Sequence, residues 1–212
     1  MVDKIFTFKY KEIIIFIFLI FFSTKIFSQA KIVIVGDSLT EGFGIRKEES
    51  FPDLLQLELI KRGYEVNIIN GGVSGSTSAS AYIRLKWYIR IQPDIVILAL
   101  GGNDGLRGLS LVHMKKNLIK AIELAKSKNI KIILAGMQMP LNYGKEYTKS
   151  FSEVYFELAK EYNIPLIPFL LKDVGGVSSL NLPDGIHPNP EGHKIIAKNV
   201  LKYLKPHLVK KK

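Results

Sequence analysis

Short apolar runs rich in β-branched residues alternate along this chain with segments of helical periodicity. The apolar runs occupy residues 31–35, 64–70, 94–100, 130–135 and 165–169, and the helical patterns occupy 48–62, 79–92, 110–128, 146–162 and 189–204. Such alternation is typical of βαβ units, and strands that are apolar at almost every position are buried on both faces of a parallel sheet. The chain is therefore predicted to be an α/β protein, a three-layer α/β/α sandwich around a central, mainly parallel five-stranded sheet.

The length and composition of the chain suit one domain. Its 212 residues are 47% hydrophobic, which is enough to build the core of one α/β domain and excludes wholesale disorder. The predicted domain spans residues 31–205 and is followed by a basic tail at 206–212. Cysteine is absent, and this excludes disulfides, thiolate metal sites, iron–sulfur clusters and cysteine nucleophiles.

The chain carries a net charge of +11, from 30 lysines and arginines against 19 acidic residues. Most of the cations are lysines that lie scattered or in the tail, and the sequence contains no Arg-rich stripe and no basic motif interleaved with aromatic residues. Nucleic-acid-binding proteins usually concentrate their cations on one face. The charge therefore indicates a lysine-rich solvated surface, and no nucleic-acid partner is predicted.

The first 28 residues have the pattern of a secretory signal peptide. Three lysines precede an apolar run at 13–22, and small residues follow it. This run is shorter than the ~20 residues that a membrane-spanning helix needs. Cleavage is predicted after Ser28 or Ala30, with an uncleaved anchor as the alternative. We expect an exported protein, periplasmic or secreted, with no stable membrane span after processing.

Three of the predicted strands end in residues with unusual chemistry. Ser38 follows the first strand, a run of small residues at 71–76 follows the second, and Asn103 follows the third. Because ligands of parallel sheets bind at the carboxyl ends of the strands, these segments are expected to lie together. The Ser38 hydroxyl could act as a nucleophile, and the Asn103 amide and backbone N–H groups could stabilise an anion. Taken alone, the Ser38 segment is more typical of an ordinary turn or helix cap, and the Asn103 segment is equally compatible with a Gly-Asn turn.

The loop after the second strand matches none of the common glycine-rich motifs. It lacks the G-x-G-x-x-G spacing of dinucleotide-binding folds and the Gly-Lys-Ser/Thr of phosphate-binding loops. It also misses the G-x-S-x-G of the usual hydrolase elbow, because position 76 is serine. Nucleotide binding is therefore not predicted.

A second source of chemistry lies near the C-terminus, where Asp184 and His187 are three residues apart with a glycine between them. On one tight turn the carboxylate could hold the Nδ1–H of the imidazole, which leaves Nε2 free to take a proton from a serine. No third ligand stands near this pair, so no metal is predicted. A nucleophile, a base and anion-stabilising donors are the parts that acyl transfer requires. The remaining histidines have no such partner and are expected to be surface residues: His113, His193 and His207.

Taken together, these blocks resemble in content and order the motifs of the SGNH (GDSL) hydrolases. The resemblance covers residues 31–205. It implies the flavodoxin-like SGNH fold and a serine esterase that works through an acyl-enzyme intermediate, without a metal or an organic cofactor. It also makes Ser38 the nucleophile, His187 the base and Asp184 the carboxylate that orients the base.

The same resemblance implies an oxyanion hole. Its donors would be the backbone N–H of Ser38, the backbone N–H of Gly75 and the side chain of Asn103. Gly75 follows Asn70 at the family's spacing, whereas Gly72, the alternative donor, lies three residues early.

Residues 101–108 and 140–144 are similar to one branch of the family, the bacterial thioesterase I, lysophospholipase and arylesterase group. Members of this branch are periplasmic and cleave thioesters, lysophospholipids and small aryl esters. The resemblance implies a small-molecule or lipid ester as substrate, and we expect a monomer. One departure is Gly71-Gly72, where relatives tend to carry Ala-Ser. The open alternatives are a carbohydrate O-acetylesterase and a non-catalytic surface binding module.

Substrate contacts are expected on two segments of the chain. Leu106 and Leu109 are candidates for the apolar wall of an acyl groove, and Arg107 is a candidate for contact with a phosphate or a CoA-like anion. Pro140 and Tyr143 are candidates for the opposite wall. Arg107 could equally be a solvated loop cation.

Overall fold

The computed structural model describes residues 29–210, and the predicted signal peptide lies outside them. Within this range the chain forms a five-stranded sheet with the strand order β2-β1-β3-β4-β5. The strands are β1 (Ala30–Gly36), β2 (Val66–Gly72), β3 (Ile95–Ala99), β4 (Lys131–Ala135) and β5 (Leu166–Ile167). Every neighbouring pair of strands is parallel, so the predicted parallel sheet is confirmed.

Seven α-helices accompany the strands in the described residues. They are α1 (Ser38–Glu41), α2 (Phe51–Lys61), α3 (Ala81–Tyr88), α4 (Gly102–Leu106), α5 (Leu111–Ser127), α6 (Lys145–Tyr162) and α7 (Pro190–Leu204). Helix α2 packs against α7, while α3 packs against α5 and α5 packs against α6. These two groups of helices enclose the sheet, and the predicted three-layer α/β/α sandwich is confirmed.

The central strands are apolar at successive positions because helices cover both faces of the sheet. The four residues of β1 from Ile32 to Val35 have no exposed surface, and neither do Val96, Ile97 and Leu98 of β3. Successive side chains of a strand point to opposite faces, so this run fills both core layers. Burying each side chain of this size contributes about 1.5–3 kcal/mol. The packed core therefore fixes the ends of β1 and β3, beyond which the functional segments lie.

The path of the chain changes direction at β1. From β1 it passes through α2 to the outer neighbour β2, and from β2 it returns through α3 to β3 on the other side of β1. Parallel crossovers are right-handed, so these two steps place α2 and α3 on opposite faces of the sheet. A cleft opens at such a switch point, outside the carboxyl ends of β1 and β3.

His193 is buried, and the surface position expected from the sequence is wrong. It lies on α7 with 1% of its surface exposed, on the same buried face as Ile196 and Val200. Its Nδ1 accepts the backbone N–H of Phe51 at 3.1 Å, which satisfies one of the free donors at the start of α2. Burial lowers the pKa of His193 to about 4, against an opposing effect of the Glu49 carboxylate.

We expect His193 to reduce the free energy of unfolding as the pH falls from about 6.5 to about 4. In that window the unfolded chain binds a proton that the folded chain excludes, so acid favours unfolding. The full loss from this group is about 3 kcal/mol. His193→Asn retains an acceptor near the position of Nδ1 but cannot be protonated. Urea unfolding at neutral and acidic pH should therefore show a smaller pH response in the variant, and an equal response in both proteins would contradict this role.

Candidate active site

The carboxyl ends of β1, β2 and β3 bring three functional segments side by side. Gly36 ends β1 and is in register with Gly72 of β2 and with the last residue of β3. Ser38 follows β1, Asn103 follows β3, and the segment after β2 is called here the Gly75 loop (residues 73–78). Asn103 lies in the short helix α4 and not in a loop. The expected meeting of the three segments at one sheet edge is thus present in the structure.

Ser38 is the first residue of α1, and the turn from β1 into this helix is tight. A Cβ on Gly36 would lie 1.9 Å from Thr40 Oγ1, so a side chain at this position would clash with the start of the helix. Asp37 caps the helix, and its Oδ1 accepts the N–H of Leu39 at 3.1 Å. The result is a serine held at the strand end with 8% of its surface exposed.

Asp184 and His187 lie on one tight turn that precedes α7. Asp184 Oδ1 accepts the backbone N–H groups of Ile186 and His187, both at 2.9 Å, and Oδ2 lies 2.7 Å from His187 Nδ1. These donors lower the pKa of Asp184 to about 2, with the backbone N–H of His187 as the largest cause. The carboxylate is therefore ionised at neutral pH and favours the imidazole tautomer with its proton on Nδ1.

The fold brings His187 against Ser38 although the two residues are 149 positions apart. The distance from His187 Nε2 to Ser38 Oγ is 3.0 Å, at which the hydroxyl can donate to a neutral imidazole. The ring of Phe43 packs on the imidazole with ring centroids 4.5 Å apart. The sequence interpretation misses Phe43, and its only signal is its place just after the Gly-Asp-Ser-Leu block.

The backbone N–H groups of Ser38 and Gly75 at this edge have no hydrogen-bond partner within residues 29–210. Gly75 has φ of +75°, in the left-handed region that glycine enters most easily. The N–H of Gly72 is already used, because it donates to Asn70 Oδ1 at 2.9 Å. Gly75, the donor that the family resemblance implies, therefore has an N–H available to a ligand within the described residues, and the alternative Gly72 does not.

The amide of Asn103 bridges the segments of the site. Its Nδ2 donates to the carbonyl of Ser76 at 3.0 Å and lies 3.5 Å from Asp37 Oδ2, near the outer limit for a hydrogen bond. An amide nitrogen carries two hydrogens. One holds the Gly75 loop, and the other is engaged weakly enough to be offered to a ligand.

Asp37 is a buried carboxyl beside these groups, with 4% of its surface exposed. Burial raises its pKa to about 6, against the opposing effects of the Leu39 N–H and of the positive charges on His187 and Arg84. The half-buried Arg84 donates to the carbonyl of Gly36 at 2.8 Å. At neutral pH the Asp37 carboxylate is ionised and favours a positive charge on the nearby imidazole.

A cavity of about 590 Å³ is bordered by Ser38 and His187. One wall comes from α4 and the segment after β4, and the other comes from the segment after β5 and the turn before α7. Apolar side chains dominate these walls, among them Leu106, Met137, Met139, Pro140, Phe169 and Leu171. An elongated apolar group attached to a reacting centre at Ser38 can therefore be sheltered from water.

Two of the five predicted substrate contacts, Leu106 and Pro140, line this cavity. The other three are not among its lining residues. The Arg107 guanidinium donates to a carbonyl of the Gly75 loop at 3.1 Å, the Tyr143 hydroxyl donates to the carbonyl of Leu106 at 3.1 Å, and Leu109 is 44% exposed. Arg107 thus has a structural partner inside the site, which the sequence interpretation did not foresee.

The wall that follows β5 is also missed by the sequence interpretation. The predicted strand at 165–169 is too long, because β5 ends at Ile167. Phe169 and Leu171 consequently leave the sheet and line the cavity. The available signal was their position after a carboxyl strand end, where ligands of parallel sheets bind.

Among residues 29–210, no three His, Cys, Asp or Glu side chains are grouped so that they could hold a metal ion. The polar groups beside the cavity include a hydroxyl, an imidazole, two carboxyls, side-chain amides and several N–H donors. This set can move protons and stabilise an anion, which is the chemistry of acyl transfer.

The chain is similar to known proteins in sequence and in fold. The model of the GDSL-like Lipase/Acylhydrolase family matches residues 34–195. The Vibrio mimicus protein named Arylesterase is 37% identical over 192 residues, which cover 89% of this chain and 96% of that protein. The Escherichia coli (strain K12) protein named Thioesterase 1/protease 1/lysophospholipase L1 is 33% identical over 192 residues, which cover 90% of this chain and 91% of that protein. The crystal structure of TesA matches with a TM-score of 0.82 at 37% identity, covering 84% of this chain and 99% of that one.

Asp37→Asn is expected to stabilise the fold at neutral pH. The pKa of Asp37 is higher in the folded chain than in the unfolded chain. Between about pH 3.8 and 6 the folded chain therefore holds a proton that the unfolded chain has lost. The free energy of unfolding falls as the pH rises through that window. Asparagine keeps an oxygen for the N–H of Leu39 and removes the buried charge, a gain of about 3 kcal/mol at pH 7. Urea unfolding should show this gain at pH 7 and little of it near pH 4. A gain of the same size at both values would count against the buried charge as its cause.

Proposed function

Since the chain belongs to the GDSL-like lipase/acylhydrolase family and is an esterase, we propose that Ser38, His187 and Asp184 carry out its reaction. The observation that carries this assignment is the chain of contacts from Ser38 Oγ to His187 Nε2 at 3.0 Å and from His187 Nδ1 to Asp184 at 2.7 Å. A serine hydroxyl is a weak nucleophile at neutral pH unless a base takes its proton. The imidazole is within reach to do so.

In the proposed first step, Ser38 Oγ attacks the carbonyl carbon of the ester while its proton passes to His187 Nε2. The carbonyl oxygen becomes an anion in the tetrahedral intermediate. As the intermediate collapses, the bond to the leaving oxygen or sulfur breaks and Nε2 returns the proton to that atom. An alcohol or thiol departs, and the acyl group remains on Ser38.

In the second step, water attacks the acyl-enzyme from the position that the leaving group vacated. His187 Nε2 takes a proton from this water, and the new tetrahedral intermediate collapses with release of the carboxylic acid. The proton on Nε2 returns to Ser38 Oγ. The protein ends in its starting state, and no redox change or additional co-reactant is required.

The proposed oxyanion hole consists of the N–H groups of Ser38 and Gly75 and one N–H of Asn103. The support is that the first two have no other partner within the described residues and that Asn103 keeps one weakly engaged N–H. Such donors act where charge develops in the transition state, and the loss of one typically costs about 3–4 kcal/mol.

The two carboxylates near the imidazole are proposed to share the stabilisation of its positive charge. Asp184 contacts Nδ1 directly, and Asp37 acts on His187 through its charge at longer range. The Asp37 carboxylate then stabilises His187 when the imidazole becomes an imidazolium. The same negative charge opposes the formation of the neighbouring oxyanion.

The proposed substrates are carboxylic esters and thioesters of acyl chains, as in aryl esters, acyl thioesters and lysophospholipids. Support comes from the apolar cavity beside Ser38, which suits an acyl chain better than a polar sugar. It also comes from the names of the relatives, which are arylesterase and thioesterase 1/protease 1/lysophospholipase L1.

We further propose a monomer that is exported to the periplasm or the medium and needs no cofactor. One chain supplies every group of the proposed site, and residues 1–28 have the pattern of a signal peptide. In the part of the chain that the structure describes, no helix has the length and apolar character to cross a membrane.

Ser38→Ala is expected to lower the kcat for p-nitrophenyl butyrate by a factor of roughly 10⁴ or more, because no other hydroxyl replaces the nucleophile. The variant should also lose labelling by a fluorophosphonate probe. Ser127→Ala, which removes a hydroxyl on the exposed end of α5, serves as the matched control and should retain full activity. Turnover by Ser38→Ala at the rate of the unaltered chain would refute the proposed function.

The apolar cavity predicts a preference for longer acyl chains. We expect kcat/KM for p-nitrophenyl decanoate to exceed that for the acetate by about 10-fold or more, since each buried methylene contributes about 0.8 kcal/mol. A panel with a decanoyl thioester, a lysophospholipid and an acetylated sugar tests the substrate class. Leu106→Gln should lower decanoate hydrolysis more than acetate hydrolysis. Faster turnover of the acetylated sugar than of every long-chain substrate would favour a carbohydrate O-acetylesterase instead.

A further inference from the structure

The Gly75 loop has to be held by contacts from outside itself, because most of it lies beyond β2 and before the next helical turn. Its proposed function depends on the direction of one N–H group, that of Gly75. This N–H belongs to the peptide unit that joins Ser74 to Gly75. When Ser74 is held in place, only its ψ dihedral separates it from the direction of this donor.

Ser74 is held by the carboxylate of Glu41. Glu41 Oε2 accepts the backbone N–H of Ser74 at 2.7 Å and also accepts the Ser74 hydroxyl. Hydrogen bonds to an ionised acceptor are stronger than those between neutral groups. Two such bonds on one residue restrain the position of the peptide unit that follows it.

Glu41 is itself fixed relative to the nucleophile. It ends α1, which begins at Ser38, and its backbone N–H donates to the carbonyl of Asp37 at 2.9 Å. The start of the loop also packs closely on α1, since a Cβ on Gly72 would lie 2.1 Å from the Glu41 nitrogen. One short helix thus carries the nucleophile, one proposed oxyanion donor and the side chain that holds a second donor.

The far side of the loop is attached to α4 and its C-terminal end. Asp104 accepts the backbone N–H of Ser78 at 2.7 Å and the Ser78 hydroxyl at 2.5 Å, and Arg107 donates to the carbonyl of Gly75 at 3.1 Å. These contacts tie the loop to the helix that carries Asn103. Glu41 ties the same loop to α1, the helix that begins at Ser38, through its two hydrogen bonds with Ser74.

We propose that Glu41 is a positioning residue that holds the Ser74–Gly75 peptide so that the Gly75 N–H points at the developing oxyanion. The inference rests on the proposed function, in which Ser38 is the nucleophile and Gly75 a donor. Glu41 acts through the loop and does not touch the substrate. Its removal should therefore weaken stabilisation of the transition state more than binding of the substrate.

The test compares Glu41→Ala and Glu41→Gln with Glu48→Ala, which removes a similarly exposed carboxylate whose ion-pair partner is Arg46. The kcat and KM for p-nitrophenyl butyrate are measured after active sites have been counted with a fluorophosphonate probe. Glu41→Ala should lower kcat per active site by about 10- to 100-fold with KM changed by less than about twofold. Glu41→Gln retains an acceptor oxygen and should recover most of the loss, and Glu48→Ala should match the unaltered chain.

A double-mutant cycle with Ser74→Ala tests the contact itself. Ser74→Ala should lower kcat when Glu41 is present and have little further effect in the Glu41→Ala background, because the two side chains act through one contact. Fully additive effects would overturn the proposal.

Other outcomes also decide against Glu41. An unchanged kcat in Glu41→Ala would overturn the positioning role. A loss of kcat in Glu41→Gln equal to that in Glu41→Ala would also overturn it, because the charge of Glu41 rather than its hydrogen-bond geometry would then be the cause. A loss explained entirely by fewer labelled sites would show a role in folding alone. If the unaltered chain neither hydrolyses the ester nor reacts with the probe, the proposed function fails, and this is distinguishable from failure of the inference about Glu41.

Discussion

The dry packing of β1 between β2 and β3 is the constraint on which the site depends. Because side chains on both faces of β1 are fully buried, this strand cannot shift without exposing apolar surface to water. The loops that leave the three carboxyl ends consequently start from fixed points. Ser38, the Gly75 loop and Asn103 can therefore be held by a few hydrogen bonds between loops, since the sheet has already placed their ends.

The site also concentrates groups that are costly to bury. Asp37 carries a carboxyl whose pKa is raised by burial, and this opposes folding at neutral pH. His193, on the helix that follows the His187 turn, carries an imidazole whose pKa is lowered by burial, and this opposes folding in acid. The two effects act in overlapping pH ranges with opposite signs. The buried Asp37 carboxylate lies beside Asn103 and acts on His187 through its charge. Its negative charge can therefore stabilise a positively charged imidazole.

Much of the fold and of the proposed catalytic centre follows from local patterns. Continuous apolar strands and helical spacing are sufficient to predict the sheet. Because ligands of parallel sheets bind at the carboxyl ends of the strands, these patterns also predict the edge that carries Ser38 and Asn103. The contacts between elements are harder to predict. The buried position of His193, the ring of Phe43 on His187 and the wall after β5 depend on which helices and loops face each other. Arg107 shows the same limit, because its sequence leaves open a ligand contact or a solvated loop cation, and the structure gives it a loop carbonyl as partner.

By itself, the sequence determined that this chain forms a parallel α/β sandwich, that a serine stands at the end of the first strand, and that Asp184 and His187 share a turn. These are properties of neighbouring residues, and local sterics and hydrophobic periodicity specify them. Only the tertiary structure decided that His187 reaches Ser38 and that Glu41 accepts hydrogen bonds from Ser74. It also decided that the N–H of Gly75, unlike that of Gly72, has no partner among residues 29–210. Those contacts join residues far apart in the chain, and their distances are set by the packing of the whole sheet and its helices.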